Sequence, residues 1–476
     1  MTRIALLASL ALGALSACEA SRLHEAPTPP SKPTATATAT STSGAAETPL
    51  DAGTDAQADA APVRAQHEPD GNDDATNEPG ASGRRLTSAT LTKVGVPPLG
   101  LTRICDLRAF AGSLYAAHAN QPLGSDGATI TRFTPDAAKP FAVAFDWNRI
   151  GEPTKGGGGG QGFLRVHALG GRLFVPDADP PYGGLGAVDW GTEGYVFVSD
   201  REGTFARARY PHAGLPGRPD ADGKAGASVL PRAYHVLDVA SYRGHLYAST
   251  GSVPPNERAW QGPAPGALHM ATPDLSRFTY TLGFPSPYPG GVWRLTYLVR
   301  FRDSLYAGLQ DFDGKSPFDY ARFTLPEGRD VLREGDGVGK RVTARGAAFT
   351  LRWYADRGAL YWIAGTWGGP VTLRKTTDGD TWDTVDLPAD VGRPTDVVRF
   401  GDELVVLTER ALVGLGEGGE PARVIATITD KKSPFSLDDA FCAAPLGVLG
   451  GVLYAGGQRG GALYRFDPAA PTAPPP

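Results

Sequence analysis

The chain has 476 residues, a formal net charge of −5 and 20% charged residues, and it contains no strongly basic stretch. A protein that binds nucleic acid clusters Lys and Arg to neutralise phosphates, so this composition excludes a nucleic-acid partner. The length alone would fit two or three domains. The pattern along the chain therefore has to decide how many there are.

The first 18 residues have the build of a secretory signal, because Arg3 is followed by an apolar core from Ile4 to Leu15. That core is too short to stay in a bilayer as a spanning helix. Residues 15–18, LSAC, resemble the bacterial lipobox. The resemblance implies cleavage before Cys18 and lipidation of Cys18. Since Glu19 follows, it also favours the outer membrane. The alternative is an ordinary signal peptide with a chance cysteine.

Residues 19–85 consist mainly of Ala, Thr, Pro, Ser, Asp and Glu, including TATATAT at 34–40. Such a segment has too little apolar surface to offset the entropy lost on ordering. It predicts a disordered tether that holds a folded domain off the membrane. The proline-rich residues 469–476 have the same character, which leaves residues 86–468 for the folded domain.

One pattern recurs seven times in that domain: an alternating apolar run, a short turn, and a second run that opens on Leu. Alternation on both sides of a tight turn is typical of a β-hairpin. Units repeated at about 40 to 50 residues indicate a β-propeller with four strands in each blade. We therefore predict an all-β, seven-bladed propeller. The anchor dipeptides are Leu114-Tyr115, Leu173-Phe174, Leu246-Tyr247, Leu305-Tyr306, Leu360-Tyr361, Leu404-Val405 and Leu453-Tyr454.

The outermost strands are less clear than these hairpins. In blade 2 the fourth strand is predicted at 204–210, and in blade 4 at either 330–334 or 341–345. Blade 7 has three strands before the chain turns to proline. Residues 90–96, TLTKVGV, have no blade of their own, so we expect this N-terminal strand to complete blade 7 and remove an open sheet edge.

Two cysteines remain after Cys18, and both fall on predicted innermost strands. Cys105 belongs to blade 1 and Cys442 to blade 7, which become neighbours when the ring closes. In an oxidising compartment such thiols are expected to form a disulfide. Two buried free thiols are the alternative.

The longest connections are predicted to share one face of the propeller, formed by the inter-blade and second-to-third-strand loops. They are residues 146–162, 177–194, 211–233, 251–266 and 284–291. Aromatic residues on them make this face the candidate binding surface; the alternative is that they pack on the blade tops. These aromatic residues are Trp147, Tyr182, Trp190, Trp260 and Tyr288.

Counting back from the anchor leucines places two rings of residues around the central channel. The upper ring contains Arg103, His235, Arg294 and Arg393, and we interpret it as a site for an anionic ligand. The lower ring contains Asp106, Arg165, Asp238, Arg352 and Asp396. Because buried charges persist only when they are paired, these are predicted to form ion pairs between blades.

Residues 375–382, KTTDGDTW, resemble the Asp-box turn of sialidase-like propellers, with Thr376, Asp378, Gly379, Thr381 and Trp382 at the matching positions. The resemblance implies that Asp378 folds the turn and Trp382 packs in the blade. Residues 199–205 are a degenerate second copy. The Asp-box is a structural element, so it supports the fold and not glycosidase activity.

The sequence contains no GxSxG, HExxH or CxxC pattern, and DFDGK at 311–315 has too few oxygen ligands for calcium. No metal and no cofactor is predicted.

The leading prediction is an envelope lipoprotein that binds a protein or glycan partner without catalysis. The alternative is a carbohydrate-active hydrolase or lyase. An open pocket with two carboxyl groups about 5 to 10 Å apart would favour the enzyme. A mouth that is filled by its own loops would favour the binding module. The enzyme would use carboxylates at the mouth, chosen from Asp146, Glu152, Asp177, Asp179, Asp189 and Glu193.

Overall fold

Seven four-stranded antiparallel sheets follow one another in a ring and form a seven-bladed β-propeller, as predicted. They are seen in a computed structural model, which describes residues 85–119, 127–147, 162–178, 193–206, 217–219, 223–231, 233, 235–251, 265–287, 293–311, 316–343, 348–366, 369–416, 420–438 and 441–469. The predicted signal, Cys18 and almost all of the predicted tether lie outside these residues.

Within each blade the strands pair in chain order, and the first strand of the chain joins the last blade. Blade 1 contains β2 (Arg103–Phe110), β3 (Ser113–Ala119), β4 (Thr129–Phe133) and β5 (Phe141–Asp146). Blade 2 contains β6 (His167–Leu169), β7 (Arg172–Pro176), β8 (Glu193–Val198) and β9 (Gly226–Pro231). Blade 3 contains β10 (Val236–Tyr242), β11 (His245–Thr250), β12 (Gly266–Ala271) and β13 (Phe278–Phe284). Blade 4 contains β14 (Trp293–Phe301), β15 (Ser304–Asp311), β16 (Tyr320–Thr324) and β17 (Gly337–Lys340).

Blade 5 contains β18 (Ala348–Asp356), β19 (Ala359–Thr366), β20 (Val371–Thr376) and β21 (Asp383–Thr384). Blade 6 contains β22 (Pro394–Phe400), β23 (Glu403–Thr408), β24 (Ala411–Leu415) and β25 (Arg423–Thr427). Blade 7 contains β26 (Leu446–Leu449), β27 (Val452–Gly456), β28 (Leu463–Pro468) and, outermost, β1 (Ala89–Gly95). A 3-10 turn, Pro98–Gly100, follows β1.

The hydrophobic core lies between adjacent blades, which explains why the anchor leucines recur. Five of the seven have no exposed surface: Leu114, Leu173, Leu305, Leu360 and Leu453. Burying a leucine side chain contributes about 2 kcal/mol, so packing fixes this position in every blade. The anchor is therefore a folding element.

The N-terminal strand closes the ring, as predicted. β1 pairs antiparallel with β28, from Ala89 opposite Pro468 to Gly95 opposite Leu463. Before this strand begins, Leu86 is 3% exposed and packs in the core of blades 6 and 7. The chain is therefore held in blade 7 from a point just before β1 to the end of the strand.

The prediction for the outer strand of blade 2 was wrong. Residues 204–206 are not in a strand, and the outer position is occupied by β9, Gly226–Pro231. Asp200 folds the preceding turn instead, because its Oδ1 accepts hydrogen bonds from the N–H groups of Glu202 (3.0 Å) and Thr204 (2.7 Å). The connection between the third and fourth strands of blade 2 is consequently long. Residues 211–233 were predicted to lie on the face of the inter-blade loops, but this connection belongs to the opposite face.

The outer strand of blade 4 lies between the two predicted positions. Residues 329–336 are held in a turn by the Asp336 carboxylate, which accepts from the Arg333 N–H at 2.8 Å and pairs with Arg329. β17 then runs close to blade 4's own aromatic rings, since a Cβ at Gly337 would lie 2.6 Å from Phe323. Only glycine fits there, which makes this strand hard to recognise from its sequence.

Cys105 and Cys442 lie in contact between blades 1 and 7, with their sulfur atoms 2.07 Å apart. This is the bonding distance of a disulfide, so the structure supports the predicted pairing. Their sequence separation is 337 residues. The pair joins the two blades at the inner edge, whereas the β1–β28 pairing acts at the outer edge.

The turn that resembles an Asp-box is closed by its aspartate. Oδ1 of Asp378 accepts hydrogen bonds from the N–H groups of Asp380 and Thr381, both at 2.8 Å. These bonds lower the pKa of the Asp378 carboxyl below its ordinary value. Trp382 donates its indole N–H to the Tyr320 hydroxyl at 3.0 Å and packs against the rings between blades 4 and 5. Asp274 closes the equivalent turn of blade 3 in a similar way, which the sequence pattern did not reveal.

Two buried histidines make the fold sensitive to acid. Burial lowers the pKa of His118 to about 4 and that of His269 to about 3. In the unfolded chain both pKa values are about 6.5, so below that pH the unfolded state binds protons that the folded state excludes. Stability is therefore fully present above about pH 6.5 and is lost as the pH falls towards 4.

Replacing His269 by Leu tests this effect. Between about pH 7.5 and pH 5, each histidine is expected to cost about 2 kcal/mol of the free energy of unfolding, at about 1.36 kcal/mol per pH unit below its unfolded pKa. The His269→Leu protein should lose about 2 kcal/mol less than the parent over this interval, measured by urea denaturation at both pH values. The other titrating groups are common to both proteins and cancel. Equal losses would contradict the assignment.

Candidate binding face

The propeller has two different faces. The first-to-second-strand and third-to-fourth-strand turns lie on one, which we call the short-turn face. The second-to-third-strand and inter-blade connections lie on the other, which we call the mouth face. The described ends of the long connections at 146–162, 177–194, 251–266 and 284–291 lie on the mouth face, and most of each connection lies outside the described residues. The blade 2 connection between β8 and β9 belongs to the short-turn face.

Both chain ends of the propeller meet on the short-turn face. Ala469 donates its N–H to the Ser88 carbonyl at 3.1 Å. Arg85 lies 3.5 Å from the Glu403 carboxylate and 3.0 Å from that of Glu420, both on the short-turn side of blade 6. The chain thus enters and leaves the propeller opposite the mouth face.

Three residues of the mouth face meet across the entrance of the channel. The Arg294 guanidinium lies 2.9 Å from Nε2 of His235 and 5.3 Å from the ring centroid of Phe441. These residues come from blade 4, the start of blade 3 and the connection into blade 7. Because blades 4 and 7 are not neighbours, Arg294 must reach over the channel to contact Phe441.

The contacts of His235 define its tautomer. Nδ1 lies 2.9 Å from the Ala178 carbonyl oxygen, which can only accept, so Nδ1 carries the hydrogen. Arg294 can only donate, so Nε2 accepts from it through its lone pair. His235 is thus neutral, and it is 7% exposed with a backbone φ of 53°. A left-handed φ is uncommon for a residue with a side chain and costs about 1 kcal/mol or more, so packing holds His235 against that cost.

Below this group, side chains from non-neighbouring blades close the channel. The Tyr297 hydroxyl of blade 4 donates to the Phe441 carbonyl oxygen of blade 7. Arg165 of blade 2 lies over the Tyr297 ring, 3.6 Å from its centroid, and donates to the Leu351 carbonyl of blade 5 at 2.8 Å. Among the described residues, these side chains therefore close the channel below its entrance.

A third arginine, Arg352 of blade 5, joins two carboxylates. Nη1 donates to Oδ1 of Asp106 in blade 1 at 3.1 Å, and Nε lies 2.9 Å from Oδ1 of Asp396 in blade 6. Burial opposes ionisation of Asp106, but Arg352 and Arg165 hold its pKa below the ordinary value. Burial raises the pKa of Asp396, which has Arg352 as its nearest cation. The predicted pair of Arg352 with Asp396 is formed.

The other predicted ion pairs of the lower ring are not formed among the described residues. Asp106 pairs with Arg352 and not with Arg165, which stacks on Tyr297. Asp238 pairs with His167, a residue that ring counting does not place beside it. The count identified the residues that line the channel, but it did not identify their partners.

The three ring aspartates also fasten blade 1 to blade 2, blade 3 to blade 4 and blade 6 to blade 7. In each case Oδ2 of the aspartate accepts a hydrogen bond from a backbone N–H group of the next blade. The donor is the residue directly after the lower-ring position of that blade. The bonds run to Asp106 from Val166 (3.0 Å), to Asp238 from Leu298 (2.7 Å) and to Asp396 from Leu446 (2.7 Å). The lower ring is therefore structural.

The predicted ligand residues of the mouth face differ in what they can offer. Trp147 is 4% exposed and packs edge-on against Phe197 at 4.8 Å between blades 1 and 2, which fits the alternative that these aromatic residues pack on the blades. Arg393 forms a two-point ion pair with Glu409 at 2.8 and 2.9 Å. Arg103 is half-buried, and its carbonyl oxygen accepts a hydrogen bond from Nδ1 of His118. The predicted aromatic residues Tyr182, Trp190, Trp260 and Tyr288 lie outside the described residues.

Two of the carboxylates named for an enzyme have described side chains: Asp177 is 1% exposed and Asp146 is half-buried. The side chains of Glu152, Asp179, Asp189 and Glu193 lie outside the described part of the structure. Within the described ranges, His, Cys, Asp and Glu form no group of three that would hold a metal ion. No helix among the same residues is long and apolar enough to cross a membrane.

Comparison with known proteins gives a likeness of fold. No family model and no curated protein matches the chain. A catalytically inactive virginiamycin B lyase from Staphylococcus aureus, solved with quinupristin, is 10% identical with a TM-score of 0.45, over 80% of this chain and 99% of that one. YCF48 bound to D1 peptide is 14% identical with a TM-score of 0.43, over 83% and 99%. Raptor from Chaetomium thermophilum is 10% identical with a TM-score of 0.42, over 82% and 30%.

Proposed function

We propose that this protein is a lipid-anchored binding module of the cell envelope that recognises a partner through its mouth face and carries out no chemistry. The closed channel supports this proposal best. Contacts between non-neighbouring blades, made by Tyr297, Arg165 and Arg352, fill the channel below the entrance. The ring carboxylates are all engaged by arginine, histidine or backbone N–H groups, which supports a structural role for them.

The anchor is the second part of the proposal. It rests on LSAC at 15–18, with Cys18 as the lipidated residue, and on the entry of the chain at the short-turn face. A chain held from that side leaves the mouth face accessible to a partner. Glu19 favours the outer membrane as the location of the anchored protein. The partner is a protein or a glycan.

A photo-crosslinking experiment on cells tests both parts. A photoreactive residue replaces either Lys432, exposed on the mouth face, or Glu327, exposed on the short-turn face. We expect a discrete crosslinked partner from position 432 and none from position 327. In the Cys18→Ser chain, fatty-acid labelling and membrane sedimentation should be lost. Crosslinks from position 327 alone would overturn the mouth face as the binding surface, and sedimentation unchanged in Cys18→Ser would overturn the anchor.

A further inference from the structure

We infer that the mouth-face group of Arg294, His235 and Phe441 receives the free C-terminal carboxylate of a peptide segment of the partner. The inference rests on the proposed function, because it names what the mouth face binds. Four features of the entrance support it: a positioned cation, an apolar cluster next to Phe441, a buried acceptor atom beside the cation, and a closed floor.

The cation is positioned for a planar anion. A guanidinium keeps its charge at any accessible pH and carries five N–H donors in a fork that matches a carboxylate. His235 supports it as a neutral acceptor at 2.9 Å, and the Phe441 ring lies 5.3 Å from its central carbon. His235 is itself fixed by the Ala178 carbonyl. The orientation of Arg294 is thus set by contacts on two sides before any ligand arrives.

Phe441 packs against an apolar cluster on the inner side of this group. Leu164 is 5% exposed, Leu237 1% and Ala178 0%, and all three pack in one cluster with Phe441 and the cysteine pair. A charge interaction is worth more next to such surfaces than in bulk water, because the local dielectric constant is low. A carboxylate that reaches Arg294 therefore gains more there than at an exposed arginine.

A buried oxygen atom lies beside Arg294 on the inner hairpin of blade 4. Gln310 is directly opposite Arg294 in the strand pair, so both side chains lie on one side of the sheet, with Cβ atoms about 5 Å apart. Gln310 is 5% exposed. In the described part of the chain, Oε1 of Gln310 has no hydrogen-bond partner. Buried polar atoms are nearly always satisfied, so this one favours a ligand that brings a donor next to its anion.

The closed floor selects a chain end. Tyr297, bonded to the Phe441 carbonyl, and Arg165, stacked on Tyr297, block the channel just below the entrance. A ligand therefore cannot thread through the ring. A peptide C-terminus enters end-on and carries a carboxylate next to an amide N–H, which matches Arg294 together with Gln310.

An array of peptides with randomised last four residues tests the inference. Each peptide is presented once with a free carboxylate and once as the C-terminal amide, and the full chain is the probe. We expect a set of peptides that bind only as free acids. Arg294→Gln should weaken them between about tenfold and a hundredfold, as expected for hydrogen bonds to a charged group. Arg294→Lys keeps the charge without the fork and should weaken them less. Arg459→Gln, an exposed mouth-face arginine paired with Asp438, is the matched control and should leave binding unchanged.

Three results would overturn the inference. One is equal binding of acids and amides, and another is the absence of any free-acid binder. The third is Arg294-dependent binding confined to uronate-terminated oligosaccharides, which would assign the entrance to a different ligand. If a partner crosslinked from position 432 is captured equally by the Arg294→Gln chain, the proposed function stands and this inference fails.

Discussion

Deletion of residues 86–97 should abolish cooperative folding of the whole propeller. The segment contains Leu86, 3% exposed in the core of blades 6 and 7, and β1, the outermost strand of blade 7. Loss of a buried leucine alone costs about 2 to 5 kcal/mol, and the deletion also exposes the edge of β28 and opens the ring. Since a domain of this kind is stable by only about 5 to 15 kcal/mol, we expect a loss of most of the thermal transition and a tendency to aggregate.

Milder variants keep this prediction testable if the deleted chain is insoluble. Leu86→Ala should lower the free energy of unfolding by about 2 to 3 kcal/mol, whereas Lys93→Gln, exposed on the same segment, should leave it unchanged. Deletion of residues 470–476 is the length control and should also have no effect. A deleted chain that melts at the parental temperature would show that β1 is dispensable for the fold.

The cysteine pair cannot replace this strand, because the two closures act at different radii. Cys105, on β2, joins Cys442, which precedes β26 and is not on the innermost strand as predicted, while β1 covers the outer edge of β28. A crosslink across 337 residues is worth about 5 to 6 kcal/mol in the chain-entropy model. That figure overstates its effect in the intact ring, since β1–β28 pairing already restrains the same two ends. The two closures should therefore be non-additive.

The sequence allowed the propeller and its closure to be predicted because both depend on local patterns. Each anchor leucine must fill the space between blades, so the inner hairpins repeat visibly; Leu114 and Leu305, for example, have no exposed surface. Most outer strands, though not β9, are half-exposed or exposed, and little in their sequence marks them. β9 follows a long connection, and β17 has glycines where Phe323 and Phe318 approach its backbone. These were the strands that the pattern misplaced.

The site was predictable only in part, because contacts across the channel depend on the diameter of the ring. Ring counting correctly placed His235 and Arg294 at the entrance and Arg352 beside Asp396. It could not show that Arg352 also reaches Asp106, or that Arg165 reaches the backbone of blade 5. Such contacts join residues hundreds of positions apart, and no spacing along the chain encodes them.

Arg352→Met should be the most damaging single substitution in the channel. The arginine is buried between Asp106 at 3.1 Å and Asp396 at 2.9 Å, and its removal leaves two carboxylates in a low-dielectric site without their cation. Breaking a buried ion pair from one side costs about 3 to 5 kcal/mol. Methionine retains most of the length and packing of the arginine side chain. The loss of stability can therefore be assigned to the missing charge. Urea denaturation at about pH 7.5 should show it, and Arg459→Gln, in an exposed pair, should change stability by less than about 1 kcal/mol.

The pH dependence and a double substitution separate charge from shape. Without Arg352 the pKa values of Asp106 and Asp396 rise in the folded protein, because burial is no longer opposed by the nearest cation. A raised carboxyl pKa costs stability at neutral pH and less in acid, so the penalty of Arg352→Met relative to the parent should shrink between about pH 7.5 and pH 5. Adding Asp106→Asn, which retains an oxygen to accept the Val166 N–H, should restore part of the lost stability. A penalty that is independent of pH and not relieved by Asp106→Asn would show that Arg352 acts through packing alone, and the electrostatic account of the ring would then be wrong.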